Sequence, residues 1–257
     1  MQAALDETDK LVKQNAVAVI LTGSHARGDA HPESDIDLRV VGDARAASAG
    51  PQDSRPSSWL KRKEEFLLSI KWLTEDEHRK ALKNPEEVGQ VVPGWRSSLI
   101  LHDPQNVAAA IKAEAESWEW DSISAACDVW VADEITDYAE EVHTLIGNLD
   151  QKQLSGAAAI RSQLALHLAQ VLSVHHRMLY ESENDLWDRV AEKMGQRWGR
   201  LQSTALGLEG DSFIASWKAA LELFTLAAAT VEHLLDDRRA AIVTHACDLA
   251  KRGPSGG

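Results

Sequence analysis

The sequence predicts an α+β protein, in which an N-terminal α/β domain with a small mixed sheet is followed by a C-terminal helical bundle. Two observations lead to this fold class. Short β-branched runs occur before Pro104, where they alternate with turn-forming residues. After Pro104, long stretches rich in Ala, Leu and Glu carry helical spacing, for example at Ile160, Leu164 and Leu168. We therefore predict two domains, residues 1–103 and residues 104–257.

The first elements follow from short apolar runs separated by turns. Residues 2–15 are typical of a short polar helix, and residues 16–22 form a continuous apolar run that predicts a buried strand. A second strand is predicted at 35–41. The segment 42–58 is crowded with Gly, Pro, Ser, Asp and Ala, which predicts a long loop, and the alternation in 64–73 predicts a third strand.

Thr74 is a plausible N-cap for a helix over 74–83, because three acidic residues follow in its first turn. The segment 89–97 is predicted to be a loop and 98–102 a fourth strand. Beyond Pro104, the pattern predicts about four long helices in an antiparallel bundle. The breaks between these helices are expected at 147–155, 181–185 and 207–211.

The composition indicates a globular protein with a cationic or small-molecule partner. Its 257 residues carry a net charge of −13, which repels the phosphates of nucleic acids and of anionic lipids. We expect neither nucleic acid nor a membrane as partner, and no stretch to approach the roughly 18 apolar residues that span a bilayer. Two cysteines, Cys127 and Cys247, are too few for a disulfide framework or zinc site and favour a reducing, cytoplasmic location.

The residues suited to chemistry begin where the first strand ends. Gly23 and Ser24 open the segment Gly-Ser-His-Ala-Arg-Gly at 23–28. A turn at this point into a short helix offers backbone N–H groups and a hydroxyl to a phosphate. The segment 23–28 is therefore a candidate phosphate-binding turn.

A pair of acids follows in the segment Ser-Asp-Ile-Asp-Leu at 34–38. On an extended strand, Asp35 and Asp37 project from one face while Ile36 points into the core. Two carboxylates placed in this way can hold Mg²⁺, with phosphate and water completing its ligands. The alternative is an ordinary strand with solvated acids, but mutual repulsion then destabilises the strand unless a cation intervenes.

Together, the apolar strand, Gly-Ser, Ala-Arg-Gly and Ser-Asp-Ile-Asp-Leu across residues 17–40 resemble the signature of the DNA-polymerase-β-like nucleotidyltransferase superfamily. The resemblance implies a nucleoside triphosphate as co-substrate and Mg²⁺ as cofactor. It assigns the metal to Asp35 and Asp37. The nucleotide is assigned to Gly23, Ser24, Arg27 and Ser34.

Two segments of the helical part, 131–138 and 175–180, are similar to the kanamycin-type aminoglycoside nucleotidyltransferases. This resemblance implies that Asp137 is the general base on the antibiotic hydroxyl. Asp133 lies one helical turn earlier and would share the face of Asp137. With Glu141, these acids would line an acceptor-binding cleft. The alternative is a solvated acidic helix face that also includes Glu134 and Glu140.

The chain departs from the kanamycin-type pattern at two positions. Those enzymes carry a third metal-site carboxylate on the strand predicted at 64–73, where the alignment puts Ser69. Glu65 lies four positions before Ser69 and so would share its face of the strand. It could supply the third carboxylate only if the strand were shifted. A lysine that contacts the nucleotide phosphates in that group is matched here by Glu141. The absence of a carboxylate at Ser69 concerns the metal ligands. The replacement of the lysine by Glu141 weakens the assignment to the kanamycin-type subgroup more than the assignment to the superfamily.

The expected reaction is the Mg²⁺-dependent transfer of AMP from ATP to a hydroxyl of a small cationic substrate, an aminoglycoside, with release of pyrophosphate. An antitoxin-type nucleotidyltransferase that modifies or binds a partner protein is the alternative, although such relatives are usually shorter. A tRNA-end or polynucleotide polymerase is opposed by the net charge. We expect the helical part to bind the acceptor and to carry a dimer interface, while the sequence leaves the oligomeric state open.

Overall fold

A computed structural model describes residues 2–43, 58–63, 65–208 and 210–254. These residues divide into two compact units, Met1–Ser122 and Ile123–Gly257. The first contains a mixed five-stranded sheet with helices and the second is helical, so the predicted fold class is confirmed. Helix α5 (Val107–Glu116) contacts β1 (Ala18–Thr22) and belongs to the first unit, whereas the sequence assigned this segment to the second domain.

The first unit contains five helices and five strands in its described residues. In chain order they are α1 (Gln2–Val12), β1, α2 (Gly23–Arg27), β2 (Ile36–Val41), β3 (Ser58–Lys63), β4 (Phe66–Leu73), α3 (Glu75–Ala81), α4 (Pro85–Arg96), β5 (Leu99–His102) and α5. The strand order is β3-β4-β2-β1-β5, in which β2 and β4 run parallel and the other pairs antiparallel. All four predicted strands are present. Thr74 caps α3 as predicted, in a capping box with Glu77.

One face of this sheet is the core of the first unit. Alternate residues of β2, namely Ile36, Leu38 and Val40, are buried together with Ala4 and Leu11 of α1. Because successive side chains of a strand point to opposite faces, the residues between them project from the other face. The apolar packing of one face thereby determines which side chains the other face carries.

Two elements of the first unit contradict the sequence-based prediction. The segment 89–97 was expected to be a loop, but it lies in α4, which Asn84 caps and Pro85 opens. Gly89, Pro93 and Gly94 weaken the helical signal, and the burial of an apolar face overrides it. Strand β3 was missed because it is an edge strand with polar, alternately exposed side chains. Most of the predicted loop 42–58 lies outside the described residues.

The described part of the second unit contains six α-helices rather than about four. They are α6 (Ser124–Asp150), α7 (Leu154–His175), α8 (Glu183–Met194), α9 (Gln196–Leu206), α10 (Phe213–Val231) and α11 (Asp237–Arg252). The extra breaks fall at Gly195, which caps both neighbouring helices, and before Asp236, which caps α11. Neither position stood out from the helical spacing.

The helices of the second unit run in mixed directions, which corrects the prediction of a purely antiparallel bundle. Arg177, just after α7, donates hydrogen bonds to Ser124 and Asp128 at the start of α6, so α6 and α7 are antiparallel. By contrast, Asp133 and His143 of α6 meet Arg239 and His245 of α11 in the same order. Helices α6 and α11 are therefore parallel neighbours.

One helical segment, Phe213–Leu234, is long and apolar enough to cross a membrane by length and composition alone. This finding corrects the expectation that no stretch comes close to that requirement. Within the second unit, 56% of its most apolar window is buried, and α10 packs against α7, α9 and α11. The core helix of a folded unit meets the same length and hydropathy test.

Candidate active site

The turn after β1 places backbone directly against an acidic side chain. Gly23 has a φ of +70°, a conformation that favours glycine. A Cβ added at Gly23 would lie 2.4 Å from Oδ2 of Asp37, far inside van der Waals contact. Both the backbone conformation and the close approach therefore require glycine at this position, and they bring the Asp37 carboxylate to the turn.

The two acids stand at the beginning of β2. Asp35 immediately precedes this strand, and Asp37 lies within it, between Thr22 of β1 and Ser69 of β4. Burial, and next the negative charge of Asp35, raise the pKa of Asp37. A hydrogen bond with Ser69 acts in the opposite direction. A bound cation would relieve the desolvation and repulsion of this acid pair.

The position of the third carboxylate in the kanamycin-type pattern is occupied by Ser69. In the parallel register of β2 and β4, Ser69 is the direct partner of Asp37. Glu65 is exposed in the turn between β3 and β4, so no strand shift brings it beside Asp37. Among the described residues there is no group of three or more His, Cys, Asp or Glu side chains that could hold a metal.

These donors fit one kind of metal site and not another. Two carboxylates and one hydroxyl cannot close the coordination sphere of a structural metal. They fit a hard cation that keeps several ligand positions for phosphate oxygens and water, as Mg²⁺ does at nucleotide sites. The chain alone therefore provides a partial, oxygen-only ligand set.

The other predicted nucleotide-binding residues lie in the connection between β1 and β2, with Ser24 and Arg27 in the short helix α2 and Ser34 after it. The Ser24 carbonyl accepts hydrogen bonds from the N–H groups of Gly28 and Asp29, at 2.9 and 3.1 Å. Arg27 donates from Nε to the Asp29 carboxylate at 3.1 Å. Ser34 Oγ accepts the His31 N–H at 3.0 Å. The side chains of Arg27 and Ser34 thus have partners within this connection and help to shape it.

Arg39 is a candidate site residue that the sequence analysis missed. It lies two positions beyond Asp37 and hence on the same face of β2. Its Nη2 lies 4.0 Å from where a Cβ at Gly94 of α4 would stand. Burial lowers the pKa of the Arg39 guanidinium, and the charges of Asp37 and Glu87 raise it. The spacing of 35, 37 and 39 is the signal that could have identified this cation beside the acids.

His25 is the third residue of the segment 23–28. Its ring packs edge-to-face against Phe66 of β4, with centroids 6.4 Å apart. The Nε2 atom of His25 is buried and has no hydrogen-bond partner within the described part of the chain. A positive charge on this ring would lower the pKa of Asp37. No sequence pattern distinguishes it from an exposed loop histidine.

In the second unit, the predicted acceptor-binding acids lie at four-residue intervals on α6. Asp137 is exposed and Glu141 is half-buried. Asp133 is not a free charge, because its Oδ1 accepts hydrogen bonds from Nε and Nη2 of Arg239, at 3.0 and 2.5 Å. Arg239 lies on α11, and the sequence gives no sign of this pairing across 106 positions.

The comparison with known protein families gives a match that covers almost the whole first unit. Residues 2–119 match the family described as "Nucleotidyltransferase domain". No curated protein shows significant similarity to the chain. The match spans the phosphate turn, the acid pair and Ser69, and it supports nucleotidyl transfer in general. Residues 2–119 are thus similar to a nucleotidyltransferase domain, and this match supports the resemblance to the DNA-polymerase-β-like superfamily and a transferase activity.

Proposed function

We propose that this protein transfers AMP from ATP to a hydroxyl of a small cationic substrate, an aminoglycoside, and releases pyrophosphate. The observation that carries the proposal is the contact of Asp37 with the Gly23 turn, in a domain matched to nucleotidyltransferases. A phosphate bound at this turn would lie next to both acids. The arrangement suits a nucleotide whose phosphates contact the turn and share a cation with the carboxylates.

Each residue of the proposed site has a separate task. Asp35 and Asp37, assisted by the Ser69 hydroxyl, would hold Mg²⁺. When bound, Mg²⁺ supplies charge neutralisation on the phosphate oxygens and orientation of the α-phosphorus. Ser24 and the turn backbone would bind the leaving phosphates, and Arg27 would join them by exchanging its contact with Asp29 for a phosphate.

The reaction forms a bond between the acceptor oxygen and the α-phosphorus and breaks the bond from that phosphorus to the bridging oxygen of pyrophosphate. We assign the proton of the acceptor hydroxyl to Asp137, which becomes a carboxylic acid. This assignment follows from the resemblance of 131–138 to the kanamycin-type enzymes. In support, the Asp137 carboxylate is exposed and makes no hydrogen bond or ion pair within the described residues.

The cationic acceptor is supported by the charge of the protein. The chain carries a net charge of −13, and Asp137 and Glu141 contribute two acids without an internal cationic partner among the described residues. A polycationic sugar would be attracted to such a surface. Asp133 contributes less than the sequence suggested, because Arg239 already compensates its charge.

The test is to incubate the full chain with α-labelled ATP, magnesium and a panel of aminoglycosides, and to follow label and pyrophosphate. We expect a labelled drug from α-labelled ATP and none from γ-labelled ATP. Asp37→Asn is the control for adventitious activity. Label on a protein rather than on a drug would instead favour the antitoxin-type alternative, and a lengthening polynucleotide would favour a polymerase. Absence of any labelled acceptor would contradict the proposal.

A further inference from the structure

The second unit contains a cavity of about 1010 Å³ that the proposed reaction does not use. It lies where the end of α6, the start of α9, the middle of α10 and the end of α11 meet. Leu149 and Lys152 mark its edge on and after α6. These residues are more than ten positions beyond Asp137, which is roughly 18 Å along the helix axis. The cavity is therefore separate from the proposed base.

The floor of the cavity is apolar. Trp217 and Leu221 of α10 lie one helical turn apart and are largely buried. Ile214 stands at the rim and is 59% exposed. A ligand resting on this floor could bury an aromatic or aliphatic body against an indole ring, which is a favourable apolar contact.

The walls of the cavity are cationic, although the chain as a whole is strongly acidic. Five basic residues face two acidic ones, Asp150 and Glu222. The basic residues are Lys152, Arg197, Lys218, Lys251 and Arg252. This local excess of positive charge is opposite in sign to the net charge of −13.

Two of these cations already have partners. Arg197 donates to Glu222 at 3.0 and 2.6 Å, and Lys251 pairs with Asp248 at 3.4 Å. Lys152, Lys218 and Arg252 have no carboxylate partner among the described residues. The Lys218 ammonium lies 5.5 Å from the centroid of the Trp217 ring. Three cations thus stand beside an apolar floor without an ion pair in the part of the chain that the structure describes.

We propose that this cavity binds an amphipathic anion, a small molecule with an apolar or aromatic body and a carboxylate, sulfonate or phosphate group. The body occupies the floor formed by Trp217 and Leu221. The anionic group pairs with Lys218 and Arg252. Neither a neutral apolar molecule nor a cationic aminoglycoside provides this combination, so the site differs in ligand chemistry from the proposed acceptor site.

The test uses 8-anilinonaphthalene-1-sulfonate, an aromatic sulfonate, titrated into the full chain by fluorescence. The uncharged N-phenyl-1-naphthylamine has a similar apolar body and serves as the matched ligand. We expect the double variant Lys218→Gln/Arg252→Gln to bind the sulfonate about tenfold more weakly. Binding of the neutral ligand should not change. Lys13→Gln/Lys83→Gln removes the same two positive charges from exposed positions of the first unit, is the matched control and should leave both affinities unchanged.

A second variant tests the location without altering charge. Ala250→Phe would fill part of the cavity, so it should weaken the binding of both ligands, while circular dichroism verifies that the fold is retained. Equal sulfonate affinity in the wild type and the double variant would overturn the assignment of the anion to these cations. Undiminished binding of both ligands by a folded Ala250→Phe variant would overturn the assignment to this cavity.

Discussion

Both units carry carboxylates on one face of an element, but the two groups differ in how their charges are compensated. Asp37 lies between β1 and β4, Asp35 immediately precedes the same strand, and burial and then the charge of Asp35 raise the pKa of Asp37. On α6, Asp137 is exposed, and Asp133 is paired with Arg239. The first group is destabilised without a cation, whereas the second is either solvated or already neutralised.

This difference shows that a central strand and a surface helix expose neighbouring carboxylates to solvent to different extents. A central strand is flanked on both sides, so its side chains share a crowded face and lose solvent. The surface of a long helix leaves the acids at four-residue intervals in water, where their interaction is weak. Only the strand arrangement would be relieved by a bound cation, so five predictions compare the two groups.

The largest expected effect comes from making the same substitution in both groups. Asp37→Asn should lower turnover in the labelled-nucleotide assay by about a thousandfold or more, because metal-borne charge stabilisation contributes several kcal/mol. Asp133→Asn should change turnover by no more than about twofold, since that carboxylate is exposed and paired. Comparable losses in the two folded variants would remove the distinction between the groups.

Asp137 is expected to be the exception among the helix acids. If it accepts the proton of the acceptor hydroxyl, Asp137→Asn should lower kcat by about a hundredfold and leave the KM for ATP nearly unchanged. The acidic limb of the kcat profile should also disappear. Glu141→Gln is the matched control and should retain kcat. A rise in the acceptor KM with kcat intact would identify Asp137 as a substrate-binding acid on a solvated helix face.

The raised pKa of Asp37 predicts an effect on the stability of the folded protein, which can be measured without an activity assay. Because the pKa of Asp37 is raised, the folded protein holds that proton more tightly than the unfolded chain does. The stability from this group is present below the unfolded pKa and is lost as the pH rises through the folded pKa. At neutral pH, Asp37→Asn should therefore melt at a higher temperature than the metal-free wild type.

Magnesium should stabilise the wild type but not Asp37→Asn. At ten times its Kd, a ligand that binds only the folded state stabilises it by about 1.4 kcal/mol. We expect this gain in the wild type and in Asp133→Asn, which leaves the strand carboxylates and Ser69 in place, but not in Asp37→Asn. Thermal melts with and without magnesium measure it. An equal gain in Asp37→Asn would place magnesium at a different site.

The smallest effect is expected at the ion pair between α6 and α11. Arg239→Gln would free the Asp133 carboxylate, so the KM for a cationic acceptor should fall by about twofold, because both groups are near water. Arg238→Gln removes an exposed neighbouring charge and serves as control. A KM that does not respond to either variant would show that the α6 face does not attract the acceptor.

The elements that the sequence predicted correctly are those whose signal is local. The continuous run Ala18–Thr22 and the alternation in Phe66–Leu73 identify strands on their own, and Thr74 with Glu77 identifies the start of α3. The segment 89–97 was misread because its Gly and Pro residues weaken a helix that is held by buried Val88, Val92 and Trp95. Packing at that point outweighs local propensity.

The sequence by itself determined the class of the fold and the alternation that points Ile36 and Leu38 into the core and Asp37 away from it, because the side chains of a strand alternate regardless of context. Only the tertiary structure decided that Ser69 rather than Glu65 is the strand partner of Asp37, that Arg39 is half-buried near Asp37, and that Arg239 pairs with Asp133. These facts depend on the register between strands and on helices distant in the chain. No local pattern records them, because the free energy that fixes them comes from burying side chains against partners far away in sequence.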